Sequence, residues 1–153
     1  MHHEFIASFR ARNTRACEAR GRLATAARLY ADGFKAELQP LADHYSAGAK
    51  VAVRAAVGEG TDSWGLDEKD RGRLRQQALA WMRAALGAWD KLAEDKAARP
   101  GLRQALEKWQ KDDDLAGVRE KPRLNKLPEA ERAAWGKFWD DVAHLLRKTE
   151  SRP

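Results

Sequence analysis

Residues 21–34 read Gly21-Arg-Leu23-Ala-Thr-Ala26-Ala-Arg-Leu-Tyr30-Ala-Asp-Gly33-Phe34, and this stretch decides the fold. Leu23, Ala26, Ala27, Tyr30 and Phe34 recur at steps of three and four, which puts them on one stripe of a helix. A half-buried strand would need apolar residues at every second position, and no such run of β-branched residues occurs in the chain. The spacing predicts a helix from Leu23 to Leu38, stopped by Pro40.

Working outward, the same pattern repeats between breakers. A first helix is expected from about Glu4 to Ala19, with Phe5, Ile6 and Phe9 on one side. A third runs from about Leu41 to Val57, with Tyr45, Ala49, Ala52, Val53 and Ala56 inward and Gly58 and Gly60 as its stop. Thr61–Leu66 reads as a polar loop around Trp64. Asp67 is placed to cap a long fourth helix, with Glu68 and Asp70 at its positive end. Leu74, Ala78, Trp81, Met82, Ala85, Leu86 and Trp89 give that helix the widest apolar face. Pro100 is expected at the first position of a fifth helix carrying Leu102, Leu106 and Trp109. Asp112-Asp-Asp114 sits badly at a negative helix end, so it marks a break, with Asp114 capping a short turn over Leu115–Val118. A basic, solvated linker, Arg119 to Lys126, precedes a last helix that begins at Pro128 and buries Trp135, Phe138, Trp139, Val142, Leu145 and Leu146. Six helices and one short turn account for the chain.

The 153 residues suffice for one domain, and 43% apolar with 34% charged residues describes a globular protein with a charged surface. The single cysteine, Cys17, forms no internal disulfide, so a reducing, cytoplasmic setting is expected. The start of the chain lacks the basic and apolar regions of a secretion signal, and no apolar run approaches a membrane span. The net charge of +6 raises nucleic acid as an alternative partner, but acids lie among the bases along most of the chain.

The run from Gly21 to Phe34 matches the second half of a tetratricopeptide repeat: a glycine turn, a small residue, an aromatic, then a small–large pair. Ala78, Met82, Ala85 and Leu86 repeat the spacing. With Arg73-Leu-Arg-Gln-Gln-Ala78-Leu-Ala-Trp81, the segment Trp109 to Arg119 and Leu127-Pro-Glu-Ala-Glu-Arg-Ala-Ala-Trp135, the chain resembles the tetratricopeptide-like helical region near the C-terminus of large bacterial serine/threonine-kinase-like proteins. The resemblance implies an all-α array of antiparallel hairpins over residues 1–99, a helical cap over 100–148 and a tail over 149–153. It implies architecture more than activity. Arg10, Asn13 and Thr14, and Ser46 and Gly48, depart from the family pattern on the helices that line a repeat groove.

Kinase loops, a phosphate-binding loop and a nucleophile elbow are all missing, so the sequence predicts no enzyme and no cofactor. Asp141-Val-Ala-His144 sets a carboxylate and an imidazole one turn apart, as in half of a di-iron site, but no second copy exists; an exposed ion pair is expected. Cys17 reads as a packing residue, and His2 and His3 as a terminal pair. No metal site is predicted. If the hairpins pair as in tetratricopeptide repeats, Arg15, Glu18, Ser46, Lys50 and Arg54 point into a groove. Three cations against one carboxylate suit an acidic or C-terminal peptide, which makes a protein-binding scaffold or adaptor the expected role.

Overall fold

The computed structural model describes residues 17, 18, 21–36 and 42–150, which form helices and turns and no strand. The helices are α1 (Leu23–Ala36), α2 (Ala42–Ala56), α3 (Glu68–Leu92), α4 (Arg99–Lys111), the single turn α5 (Lys121–Leu124) and α6 (Glu129–Glu150). Two 3-10 segments cover Lys96–Ala98 and Asp113–Val118. The all-helical expectation holds for these residues. The helix expected over Glu4–Ala19 falls outside them, apart from Cys17 and Glu18, which are helical.

Two compact units divide the chain, residues 1–82 and 83–153, with the boundary inside α3. In the first, α1 and α2 run antiparallel. Phe34 near the end of α1 meets Tyr45 near the start of α2, ring centroids 4.8 Å apart. At the other end, the Thr61 N–H beyond α2 donates to the Gly21 carbonyl before α1 at 2.7 Å. Gly48 lets the two helices close: a Cβ there would lie 3.0 Å from Phe34 Cε2 and 3.2 Å from Tyr30 Cγ. The face of α2 is wider than expected. Ser46, Gly48, Ala49, Val51, Ala52, Val53, Ala55 and Ala56 are all buried, because small side chains allow neighbours on nearly every side. Trp81 on α3 completes the cluster, edge-on to Phe34 at 5.0 Å.

In the second unit, Trp89 stacks on Trp109 at 4.3 Å, and Phe138 lies edge-on to both Trp135 and Trp139. Three local expectations need correction. Pro100 follows Arg99 in the first turn of α4 rather than opening the helix. The cap of the 3-10 segment is Asp112, not Asp114: Asp112 is the first residue with extended backbone, and its carboxylate accepts the Asp114 N–H at 3.0 Å. The segment Arg119–Lys126 is not a plain solvated linker, since α5 forms within it. Arg119 turns inward and donates to the Trp109 and Asp112 carbonyls at 2.9 and 2.7 Å. Those carbonyls lie at the end of α4, where helical partners run out. The Trp139 indole N–H likewise finds the Val118 carbonyl, at 2.9 Å.

Candidate functional site

The segment between α2 and α3 carries the feature that burial does not explain. Trp64 is 82% exposed, whereas Trp81, Trp89, Trp109 and Trp135 are buried. It stands at a corner of a turn that the Leu66 N–H closes onto the Ser63 carbonyl at 3.1 Å. Ser63 beside it points the other way and is fully buried.

The turn is held on both flanks. On one side, the Asp62 carboxylate accepts the N–H groups of Ala24 and Thr25 at 3.0 and 2.9 Å and the Thr25 hydroxyl at 2.7 Å. Asp62 is therefore an N-terminal cap for α1, supplied from far along the chain. Burial opposes its ionisation, but the bonds from Thr25 and Ala24 together outweigh that and hold the carboxyl below its ordinary range. Gly60, at φ +93°, lets the backbone pass the Gly21 carbonyl; a Cβ there would come within 2.5 Å of that oxygen. On the other side, Asp67 caps α3 by accepting the Asp70 N–H at 2.8 Å. Arg71 bridges the segment's two ends, donating to the Ala56 carbonyl at 2.9 Å and the Leu66 carbonyl at 3.3 Å.

Charge around the turn is layered. Glu59 bonds Arg54 at 2.9 Å, and Glu68 bonds Arg75 at 2.7 Å. In each pair the carboxylate lies nearer solvent: the Glu68 side chain is 75% exposed and that of Arg75 7%, and for Glu59 and Arg54 the values are 52% and 35%. Asp67 is exposed as well. Within the segment the outward charge is acidic, with Lys69 the exposed base between Glu59 and Asp70, and Arg22 is an exposed base next to Gly21.

The residues expected to line a groove meet different fates. Ser46 is buried and bonds the Asp43 carbonyl at 3.1 Å, against the expectation that it points outward; α2 is enclosed on that side. Arg54 is engaged with Glu59, and Glu18 accepts the Tyr30 hydroxyl at 3.4 Å. Lys50 is half-buried, one turn before Arg54. Arg15 lies outside the described residues. The ion pair expected within Asp141-Val-Ala-His144 is replaced by another: Asp141 bonds Arg83 at 2.5 Å and Lys137 at 2.8 Å, while His144 is exposed. Arg83 and then Lys137 hold the Asp141 carboxyl below its usual range.

Among the described residues no group of three His, Cys, Asp or Glu side chains is placed to hold a metal, and no helix is long and apolar enough to cross a membrane. No protein-family model, curated protein or solved structure matches the chain. Trp64 is not among the residues expected to form a site. Its signal was there: alone among the six tryptophans, it has no apolar residue three or four positions away, those places being held by Gly60, Thr61, Asp67 and Glu68.

Proposed function

We propose that this chain is a non-catalytic adaptor module that docks on another protein through the Trp64 turn. One observation carries the reading: a tryptophan left in water on a turn that three separate ties hold in place. Large amphipathic rings dominate binding energy at protein interfaces, and ordering them beforehand removes part of the cost of association. The antiparallel α1–α2 pair, brought close at Gly48, supports a tetratricopeptide-like scaffold beneath the turn. Support for the acidic-peptide groove is thinner, with Ser46 buried and Arg54 holding Glu59.

The test is a tagged capture from native lysate with and without nuclease, comparing the wild-type chain with Trp64→Ala. A discrete protein that survives nuclease and is lost from the variant supports docking through Trp64. Partners that vanish with nuclease, and that Trp64→Ala leaves unchanged, move nucleic acid to first place.

A further inference from the structure

The docking reading leaves open what kind of surface receives the turn. Resting on that reading, we infer that the Trp64 turn recognises a basic protein segment: an apolar or aromatic-lined seat for the indole, flanked by arginine or lysine side chains. The argument is charge complementarity around a preformed anchor.

Between Glu59 and Asp70 the chain places five carboxylates and one lysine. The arginines that meet this stretch do not cancel it at the surface. Arg75 lies beneath Glu68, and Arg71 is drawn onto backbone carbonyls at either end. Arg54 is the less exposed partner of Glu59. The Asp62 carboxylate is turned onto α1, so what the segment offers an approaching partner is the indole together with the exposed carboxylates of Glu59, Asp67 and Glu68. Carboxylates attract cations from solution and repel an acidic segment, so they select as well as bind. The indole adds a second preference of the same sign, since its ring face attracts a guanidinium. Acidic flanks and an aromatic face both favour arginine-containing partners.

The geometry also favours a segment that comes to the turn over a loose association. Trp64 sits at the corner of the turn closed from Ser63 to Leu66, and Ser63 is buried below it. This surface adjoins the α2 stripe bearing Lys50 and Arg54, with Arg54 held by Glu59 at the join.

The experiment selects short random displayed peptides on the wild-type chain and on Trp64→Ala, then measures the best synthetic peptides by fluorescence anisotropy. Glu59→Gln and Glu68→Gln keep side-chain shape and remove charge, and their melting curves verify folding. The expected result is enrichment of peptides combining Arg or Lys with an apolar residue. Their affinity falls at least about 30-fold in Trp64→Ala, the loss of an interface anchor. It falls a few-fold in each Gln variant, and again as salt is raised from about 0.05 to about 0.5 M, because exposed charges are screened. Enriched peptides that are acidic or neutral, yet still lost in Trp64→Ala, overturn the basic-partner inference and leave docking standing. Peptides indifferent to Trp64→Ala, or no enrichment at all, overturn both. A dimer that sedimentation detects in the wild-type chain and not in Trp64→Ala identifies a second copy as the occupant and also overturns the inference.

Discussion

Replacing Asp62 with alanine removes three hydrogen bonds in one step, those from the Ala24 and Thr25 N–H groups and the Thr25 hydroxyl. An ordinary helix cap is worth about 1 kcal/mol and up to ~2. Here one carboxylate both caps α1 and ties down a loop, but it is partly solvated, so the upper end, ~2 kcal/mol, is the reasonable figure. For a chain of this size that corresponds to a fall in melting temperature of roughly 4–8 °C. Asp62→Asn keeps one good acceptor and loses the charge, so it should fall between the two. The native carboxyl titrates below the ordinary value of 3.8. Its charged form is therefore favoured by folding, and that contribution is full above 3.8 and fades as pH drops through the lower native value. The gap between wild type and Asp62→Asn should be constant near neutrality and close in acid. Circular dichroism melts across pH measure the gap, and hydrogen exchange at the Ala24 and Thr25 amides locates it. An Asp62→Ala chain that melts with the wild type, or a gap that widens in acid, refutes the cap.

Three further outcomes follow from the same geometry. Gly60→Ala forces a Cβ onto the Gly21 carbonyl at positive φ and should cost ~2 kcal/mol or more in a denaturant titration, whereas Gly65→Ala, which meets open space, should stay within about 0.5 kcal/mol. Arg119→Ala strips two carbonyls at the end of α4 of their donor and should cost about 2 kcal/mol; the exposed Arg123→Ala should be near neutral by the same titration. Asp141→Asn should lower stability by at most ~1 kcal/mol, an effect that shrinks in acid because Arg83 and Lys137 depress the native carboxyl, while His144→Ala should leave the melting curve unchanged.

The helices were legible because their signal is periodic and local. Leu23, Ala26 and Ala27 are buried where a 3.6-residue repeat puts them, and Asp67 caps α3 as its place in the sequence suggests. What escaped was long-range or geometric. Asp62 looks like one more polar loop residue, and only the chain's return to Gly21 reveals its partners 37 and 38 residues away. In the sequence Arg119 looks like a solvated base because a basic run near a proline resembles a linker, yet its reach to the end of α4 depends on how the 3-10 segment turns. Ser46 fell on the wrong side for a different reason. The stripe expected for α2 follows steps of three and four from Tyr45 through Ala49, Ala52, Val53 and Ala56, while a helix rich in alanine and glycine is enclosed on most sides and leaves little face to choose.

The same logic bears on Trp64. A tryptophan offers roughly 150–250 Å² to bury, which at about 25 cal/mol per Å² amounts to ~4–6 kcal/mol of available transfer free energy. A chain that had merely lacked room in its core would leave such a residue on a slack loop, where ordering each residue on binding costs about 1–2 kcal/mol and absorbs the gain. This chain does the reverse. Asp62, Asp67 and Arg71 fix the backbone on both sides of the turn before any partner arrives. Those ties cost nothing further on association, so the ordering part of the cost of binding no longer opposes burial of the indole. On the proposed docking reading, restraint of the backbone and exposure of the ring serve one purpose, burial of the ring by a partner, and the turn, rather than the α2 stripe, is the place to look for it.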